Sequence, residues 1–487
     1  MRRLRALLLL VVIGGIVCRV AQYLANPSLW HDEALVALNV MDKSAAQLFG
    51  PLDYAQAAPP LFLLAERGLW LATHNPEYAL RLVSLLCGIA SLPIFAVLCW
   101  RLLPGAVTPW TVGFFAFSDK LIWHSAEVKP YSGDVFVAVL LLFIALAVKH
   151  GTVAARFTWL SIVAAIALWF SFPAAIIFGG LSLTTLPQLW RRKGLVVWIL
   201  CNALVVASFL LLYLLTVRHQ HDEYGSYLLR YWADDFPDYA HPLKIPWWLA
   251  NELYSLSDHP YRSFGAIVAL LGICGIVNLS LRKEYRILGA CVWPILLAIA
   301  AAFAHQYPFN GDRLTVYLLP GIFLLCGEGT ALLRERLPMP WQKLWFVLAL
   351  VVVGRGVVEA SYRLIVPRSR SNVRPIVKYI RIHRQPGEGL YLVGEPDAQK
   401  ITAESYTSTL SRELLCYWRD PSPWHAGMPA NLSEIPERRF WIAFTCLPKH
   451  GTKTLDPLLK RLEPIAIEQD RKLAPGGGGA AVLFEKK

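Results

Sequence analysis

The sequence lacks three patterns that are typical of other protein classes. A basic start, MRRLR, precedes an apolar run, but no small-x-small cleavage site follows before Asn26. We therefore expect a retained first membrane helix instead of a cleaved signal peptide. No internal repeat is apparent, which counts against transporters built from paired halves. The glycine run at 476–479 is followed by no Lys-Ser/Thr pair and no helical pattern, which favours a flexible hairpin loop over a phosphate-binding loop.

The cysteines give little support for thiol chemistry. Cys416 and Cys446 lie in the polar C-terminal part of the chain. They form a disulfide if that part faces an oxidising compartment, or remain two unpaired thiols, and their spacing leaves both alternatives open. The other seven cysteines lie in apolar stretches, where a thiol behaves as a small hydrophobe: Cys18, Cys87, Cys99, Cys201, Cys274, Cys291 and Cys326.

Apolar residues, in contrast, are abundant. Of the 487 residues, 56% are hydrophobic, which is above the range of roughly 45–50% for soluble proteins. We therefore predict a membrane protein. The formal net charge of +13 is explained more simply by Lys and Arg in cytoplasmic loops than by a nucleic-acid partner.

The apolar residues form about eleven stretches of roughly 17–25 residues, each long enough to cross about 30 Å of hydrocarbon. The stretch 59–73 is shorter and contains Glu66 and Arg67, each of which costs about 2.5–3.5 kcal/mol at a bilayer centre. We predict that it is a helix lying at the membrane surface. The predicted spans are 4–24, 78–100, 106–123, 133–149, 155–170, 174–190, 195–217, 262–280, 287–304, 314–333 and 342–358.

Basic residues predict the orientation, since short cytoplasmic loops are enriched in Lys and Arg. They fall on alternate loops, which places the N-terminus in the cytoplasm. The expected location is the inner (plasma) membrane. The remaining loops then face outward, at 25–77, 124–132, 218–261 and 305–313. Residues 1–358 thus form a helical membrane domain, and residues 359–487 lie outside the cytoplasm.

The C-terminal segment 359–487 has the mixed pattern of a separate soluble α/β domain. A helix is predicted at 374–384, with further helices between the strands. Strands are predicted at 389–394, 440–446 and 480–484, where apolar residues alternate or run together between turn signals.

The first outer loop contains the strongest candidate for chemistry. His31, Asp32 and Glu33 open an apparent amphipathic helix that continues through Met41. Asp32 could simply cap this helix, yet it lies within a turn of where the first span leaves the bilayer and follows an interface-type aromatic, Trp30. A carboxylate there can act as a general base toward a hydroxyl or amine, and Asp32 is our candidate.

The second outer loop supplies groups that are able to bind a lipid-borne phosphate. It contains His124, Glu127, Lys129 and Tyr131 between two predicted spans. In the functional interpretation, Lys129 meets the phosphate while Glu127 orients it or a sugar. In the alternative, both side chains are solvated or paired with each other.

A third loop leads directly into a late span. It contains Tyr307, Asp312 and Arg313, and Arg313 can grip phosphate oxygens with two hydrogen bonds. Snorkelling of Arg313 to any lipid phosphate is the alternative.

Evidence for a metal ion is weak. His219 and His221 lie beside acidic residues in the long loop 218–261, a composition that is also common in solvated loops. Consecutive helical residues point in different directions, so His31, Asp32 and Glu33 cannot all chelate one ion. We expect no tightly bound cofactor and leave a divalent metal ion open.

Taken together, these stretches resemble the GT-C glycosyltransferases related to the protein O-mannosyltransferases and the lipid A aminoarabinose transferases (family 39/83 type). The resemblance covers roughly residues 1–330. It rests on LWHDEALVALN (29–39), APPLFLL (58–64), YALRLVSLLCGI (78–89), HSAEVKPYSGD (124–134) and YPFNGDRLTVYLLP (307–320).

The resemblance implies a helical membrane bundle, a polyprenyl-phosphate-linked sugar donor and inversion at the anomeric carbon. Asp32 matches the essential acid of such families and Glu33 its common neighbour. Glu127, Lys129 and Tyr131 match the second-loop pattern, with Lys where Arg is frequent, and Arg313 matches the basic residue before a late span. Aminoarabinose transferases have a Lys shortly before the PPLF-like segment, whereas this chain has Gln56-Ala57-Ala58.

The expected activity is therefore transfer of a sugar to a lipid, glycan or protein acceptor at the outer face of the membrane. The alternative is a transporter or translocase of lipid-linked glycans without transferase activity. Transporters usually place ionisable residues at mid-membrane sites, whereas the candidate residues here are predicted at one face.

Overall fold

The computed structural model divides the chain into two compact units. The first comprises Met1–Ala25, Lys43–His74 and Tyr78–Val366, and the second comprises Asn26–Asp42, Asn75–Glu77 and Pro367–Lys487. The second unit thus contains most of the predicted C-terminal domain together with two short segments that were predicted to belong to the first outer loop. The described residues are 2–73, 75–148, 151–338, 341–370, 372–394, 410–418, 423–429, 431–445, 456–475 and 478–487.

The first unit is helical, because its long apolar runs satisfy their backbone hydrogen bonds internally, as a membrane requires. Its helices are α1 (Arg2–Ala25), α3 (Pro60–Thr73), α4 (Pro76–Leu102), α5 (Thr108–Ala116), α6 (Asp119–His124), α7 (Tyr131–Leu146), α8 (Val153–Ala167), α9 (Ala174–Arg191), α10 (Leu195–Leu212), α11 (Arg218–Tyr231), α12 (Ile245–Asp258), α13 (Gly265–Leu281), α14 (Tyr285–Phe303), α15 (Leu319–Arg336) and α16 (Leu344–Ile365). Helix α2 (His31–Asp42) belongs to the second unit. The predicted helix at 59–73 is confirmed as α3.

Six helices among the described residues are long and apolar enough to cross a membrane, or seven if the bent pair Pro242–Tyr261 and Gly265–Leu281 forms one span. The six correspond to the predicted spans at 4–24, 78–100, 195–217, 287–304, 314–333 and 342–358. The predicted spans at 133–149, 155–170 and 174–190 fall on helices that are shorter or less apolar.

The predicted span at 106–123 is wrong, because the chain breaks between α5 and α6. Ser118 is extended, with φ −65° and ψ 115°, and its hydroxyl donates a hydrogen bond to the carbonyl oxygen of Pro260 at 3.3 Å. Helix α6 therefore ends at His124, directly before the loop that contains the other candidate residues of the second outer loop.

Helices α13 and α15 pack with their backbones in close contact. A Cβ atom added to Gly275 would lie 1.9 Å from the carbonyl oxygen of Leu325, and one added to Gly329 would lie 1.9 Å from that of Leu271. Small residues at facing positions are typical of helix pairs in membranes, where close packing replaces the hydrophobic effect. The loop 305–313 precedes α15, so the closely packed helix pair lies at the C-terminal side of this loop.

The second unit contains a five-stranded mixed sheet with the order β2-β1-β3-β5-β4. The strands β1 and β3 are parallel, whereas β5 is antiparallel to both β3 and β4. The strands are β1 (Gly389–Gly394), β2 (His425–Ala426), β3 (Arg439–Thr445), β4 (Ala466–Leu473) and β5 (Gly479–Lys486). The three predicted strands are therefore confirmed as β1, β3 and β5.

Both faces of the sheet are covered, which is why its central strands have almost uninterrupted apolar sequences. Helix α17 (Arg374–His383) packs Ile376, Val377 and Ile380 against one face, next to α18 (Arg412–Tyr417). Helix α19 (Asp456–Leu462) covers the other face. The predicted helix at 374–384 corresponds to α17.

Two local predictions in this unit can be compared with the structure. The strands β4 and β5 are antiparallel neighbours, and Ala474 N–H donates to Gly479 O at 2.9 Å; residues 476–477 of the glycine run, for which a hairpin loop is predicted, lie outside the described residues. Cys416 is a buried free thiol, and Cys446 lies outside the described residues.

Candidate functional site

The first turn of α2 contains the predicted base. The helix begins at His31, so both Asp32 and Glu33 lie in its first turn, where free backbone N–H groups stabilise anions. The Trp30 N–H donates to Glu33 Oε2 at 3.3 Å, which is one half of a capping box. Glu33 is buried, whereas Asp32 is partly exposed. Glu33 therefore helps to hold the start of the helix.

His31 lies next to a carboxylate of the same unit. Its Nδ1 atom is 3.7 Å from Oε2 of Glu413 in α18. Burial alone would raise the pKa of Glu413, but the hydrogen bond and the charge of His31 together outweigh it. The pKa of Glu413 therefore lies below its usual value. Glu413 is therefore an anion that can hold a protonated His31 at the start of α2.

The second outer loop is buried instead of solvated. Glu127 and Lys129 expose only 2% and 8% of their surface, so the alternative that they are solvated is wrong. Glu127 Oε2 lies 2.6 Å from His124 Nδ1, and the Lys129 ammonium donates to Gln56 Oε1 at 2.8 Å. A buried charge needs such partners.

A second histidine, which the sequence analysis missed, completes a cluster with the second loop. The rings of His124 and His259 are stacked with centroids 6.2 Å apart, and Tyr131 lies edge-on to His124 at 5.1 Å. The Nδ1 atom of His259 lies 3.1 Å from Asp312 Oδ1. In each pair a carboxylate orients the ring through Nδ1.

The remaining ring nitrogens of this cluster face the protein interior. In the described part of the chain, the Nε2 atoms of His124 and His259 are both buried and lack a hydrogen-bond partner. A buried polar atom without a partner is costly, so these two atoms mark a place where a water molecule or a substrate group can be bound.

Arg313 lies beside the same cluster. Its guanidinium carbon is 5.4 Å from the centroid of the Trp232 ring, a cation–π arrangement that holds the planar group in one orientation. The pKa of the neighbouring Asp312 is raised by burial but lowered more strongly by nearby His259, Lys120 and Arg313, and its net value lies below the usual range. Asp312 therefore offsets part of the positive charge of the cluster.

Hydrogen bonds from neighbouring segments hold the loop that leads to Arg313. The side-chain amide of Asn310 donates to Asp235 Oδ2 at 3.3 Å, and the Gly311 N–H donates to Glu252 Oε2 at 3.1 Å. Tyr307 donates its hydroxyl hydrogen to Leu314 O at 3.0 Å. The hydroxyl of Tyr307 is thus used within the loop.

The predicted residues therefore fall into two groups. His124, Glu127, Tyr131, Asp312 and Arg313 are brought together in the first unit, where Lys129 is paired with Gln56. His31, Asp32 and Glu33 belong to the second unit. Within the described ranges, no three His, Cys, Asp or Glu side chains are arranged to hold a metal ion.

Comparison with known proteins gives a clear result for the fold. No family model and no curated protein matches the sequence. The structure matches ArnT from Cupriavidus metallidurans in the apo state, with a TM-score of 0.55 and 14% identity over 97% of both chains. It also matches ArnT from the same organism bound to undecaprenyl phosphate, with a TM-score of 0.53, 14% identity and 97% coverage of both chains.

A third match is archaeal. The oligosaccharyltransferase AglB from Archaeoglobus fulgidus, in complex with an inhibitory peptide and a dolichol-phosphate, has a TM-score of 0.50 and 11% identity over 99% of this chain and 74% of that chain. The chain is therefore a multi-pass membrane protein with the GT-C fold. Its C-terminal sheet is part of a likeness to ArnT that extends over nearly the whole chain.

Proposed function

We propose that this protein is a glycosyltransferase that uses a polyprenyl-phosphate-linked sugar as donor. The sugar, a hexose or pentose, is moved to a lipid, glycan or protein acceptor at the outer face of the inner (plasma) membrane. Two observations support the donor class: the fold is that of GT-C enzymes, and two of the matching structures contain a polyprenyl phosphate, undecaprenyl phosphate in ArnT and dolichol-phosphate in AglB.

The observation that carries the proposal is the position of Asp32. It is the partly exposed carboxylate in the first turn of α2, next to a buried Glu33 that holds the helix start. In the proposed reaction, Asp32 accepts the proton of an acceptor hydroxyl or amine as that atom attacks the anomeric carbon. The bond from the anomeric carbon to the phosphate oxygen breaks, and the configuration inverts.

Negative charge develops on the departing polyprenyl phosphate, and fixed cations stabilise it best in a poorly solvated site. Arg313 is proposed for this role because its guanidinium is oriented by Trp232. Lys129 is proposed as the second cation, and its ammonium donates a hydrogen bond to Gln56 Oε1. Gln56 lies in the segment where aminoarabinose transferases have a Lys. Glu127 then orients His124, and Tyr131 packs against that ring.

The test is the variant Asp32→Asn in purified protein with a panel of labelled polyprenyl-phosphate-linked hexoses and pentoses. We expect acceptor-dependent release of polyprenyl phosphate to fall by roughly 10²- to 10⁴-fold, the usual contribution of a general base. Asp42→Asn, at the other end of the same helix, is the matched control and should retain transfer.

Two outcomes would contradict the proposal. Normal transfer by Asp32→Asn would remove Asp32 as the base. Movement of labelled donor across a vesicle membrane without release of polyprenyl phosphate would favour the translocase alternative, because a translocase leaves the sugar–phosphate bond intact.

A further inference from the structure

Helix α2 packs on the C-terminal part of the chain within the second unit, against α18. The Cys416 thiol lies 3.6 Å from the Ala34 carbonyl oxygen, on the turn that follows Asp32. Residues 33–41 of α2 are all buried. The helix that carries the candidate base is therefore a buried element that packs on α18, not a solvated loop element.

Two of the three residues before α2 form hydrogen bonds with the C-terminal part of the same unit. The Leu29 N–H donates to the Tyr417 hydroxyl oxygen at 2.7 Å. The Ser28 hydroxyl donates to Asn372 Oδ1 at 2.9 Å and accepts from the Arg374 N–H at 3.1 Å. These contacts fix the backbone within one turn of Asp32.

Glu77 lies at the centre of this attachment. Its Oε1 atom accepts from the Tyr417 hydroxyl at 2.6 Å and from Arg374 Nε at 2.9 Å. Its Oε2 atom accepts from the Asn26 side-chain amide at 3.3 Å, while Arg374 Nη2 donates to the Asn26 carbonyl oxygen at 2.7 Å. Four segments that are distant in sequence thus meet at one buried carboxylate, a type of network that rigidifies what it joins.

We propose that Tyr417, Glu77 and Arg374 are positioning residues for the base Asp32. The inference rests on the proposed function, and it assigns a role to the C-terminal domain: it holds the start of α2 so that Asp32 meets the acceptor in a reactive geometry. A displacement of about 1 Å at a catalytic group can cost up to about 10²-fold in rate. Tyr417 is the key member because its one hydroxyl joins the Leu29 N–H to Glu77.

The test compares Tyr417→Phe with Tyr391→Phe in the full-length protein. Tyr391 is a matched control, since its hydroxyl donates to Glu437 in the same unit at 2.8 Å, so each variant removes one Tyr–Glu hydrogen bond. We expect Tyr417→Phe to lower kcat roughly ten- to one-hundred-fold with the donor KM within about twofold of the wild type, because the base moves while the phosphate-binding cations stay in place. Tyr391→Phe should leave both values unchanged.

A second readout needs no substrate. Amide hydrogen exchange of residues 28–36 should be about tenfold faster in Tyr417→Phe, since the Leu29 N–H loses its acceptor, and unchanged in Tyr391→Phe. Glu77→Gln should have a smaller effect than Glu77→Ala on both exchange and kcat, because the amide keeps an oxygen that accepts from Tyr417. If Tyr417→Phe cannot be purified in folded form, the Glu77 pair provides the same comparison.

The outcomes separate this inference from the proposed function. If Asp32→Asn is inactive but Tyr417→Phe matches Tyr391→Phe in kcat and exchange, the positioning role is wrong and the base assignment is unaffected. If Asp32→Asn is active, Asp32 is not the base and the positioning role fails with it, whatever the exchange data show, while transfer itself is unaffected. If Tyr417→Phe raises the donor KM and the exchange rate but leaves kcat unchanged, Tyr417 acts in donor binding, which also overturns the inference.

Discussion

Two regions of the molecule contain the predicted site residues, and they are held in different ways. The start of α2 is held by residues far along the chain, with 388 positions between Leu29 and Tyr417. The histidine cluster also joins segments that are distant in sequence, but its members His124, His259 and Asp312 all belong to the helical unit. The difference indicates that the setting of Asp32 depends on the C-terminal domain, whereas the histidine cluster belongs to the helical unit alone.

The two regions also differ in their chemistry. Around α2, the anions Glu33 and Glu77 hold backbone and side-chain donors in place, which leaves Asp32 partly exposed. In the cluster, Glu127 and Asp312 orient imidazole rings beside Arg313. In the proposed reaction, the first region presents the proton acceptor and the second receives the departing phosphate.

Substitution of Arg313 is the strongest way to test the anion-receiving region. Arg313→Gln should lower transfer by roughly 10²- to 10³-fold, because a fixed cation is lost from the place where charge develops. Arg313→Lys should be intermediate, since Lys keeps the charge but not the planar group stacked on Trp232. The measurement is kcat for release of polyprenyl phosphate, together with binding of polyprenyl phosphate itself.

A related substitution checks the orientation of the guanidinium. Trp232→Leu removes the ring beneath Arg313 and should resemble Arg313→Lys. If Arg313→Gln and Arg313→Lys are equally active, the charge of Arg313 has no role and the contrast between the two regions is lost.

Glu33 tests whether the α2 region contains one acting carboxylate or two. Glu33→Gln keeps the oxygen that accepts from Trp30 N–H and should have little effect. Glu33→Ala removes it and should lower the free energy of unfolding by about 1 kcal/mol, with transfer still present in the protein that remains folded. The measurements are thermal unfolding in detergent and transfer activity per folded molecule. A loss of transfer in Glu33→Gln as large as that in Asp32→Asn would instead give Glu33 a direct catalytic role.

Asp235 gives the smallest expected effect and concerns the loop that leads to Arg313. Burial raises its pKa to about 6, with nearby Glu252, Asp234 and Asp312 adding to the shift and the Asn310 hydrogen bond opposing it. A raised pKa means that the stabilising contribution is complete below about pH 3.8 and is lost as the pH rises through about 6. Because Asp235 is partly exposed, solvent screening keeps the effect below about 1 kcal/mol.

The corresponding measurement is the unfolding midpoint at pH 5, 6 and 7. The wild type should lose more stability over this range than Asp235→Asn, in which the titrating carboxyl is absent. Identical pH profiles for the two proteins would show that the pKa of Asp235 is not raised in the folded protein.

Apolar patterns predicted most of the fold. The strands β1, β3 and β5 and the helix α17 lie where the patterns place them, because each buries a continuous or periodic apolar face. Strand β4 was missed, since its sequence AIEQDRKL is mostly exposed and polar, as an edge strand permits. The break at Ser118 was also missed, because no Gly or Pro marks it and a hydrogen bond to Pro260 from another helix stabilises it.

The site was predictable only where a local motif exists. Asp32 and Arg313 stand at the ends of apolar runs and could be selected on that basis. His259 carries no such signal, because its partners His124 and Asp312 come from other segments. The capping role of Glu33 was hidden as well, since Trp30 replaces the Ser or Thr that usually starts a capping box.

The attachment of α2 to α18 also has a consequence for biosynthesis. With 388 positions between Leu29 and Tyr417, translation at about 5–20 residues per second makes α2 roughly 20–80 s before its partner exists. During that interval the surface of α18 against which the helix packs is absent. A chain truncated before residue 410 therefore lacks the contacts of α18 that hold the start of α2 next to Asp32.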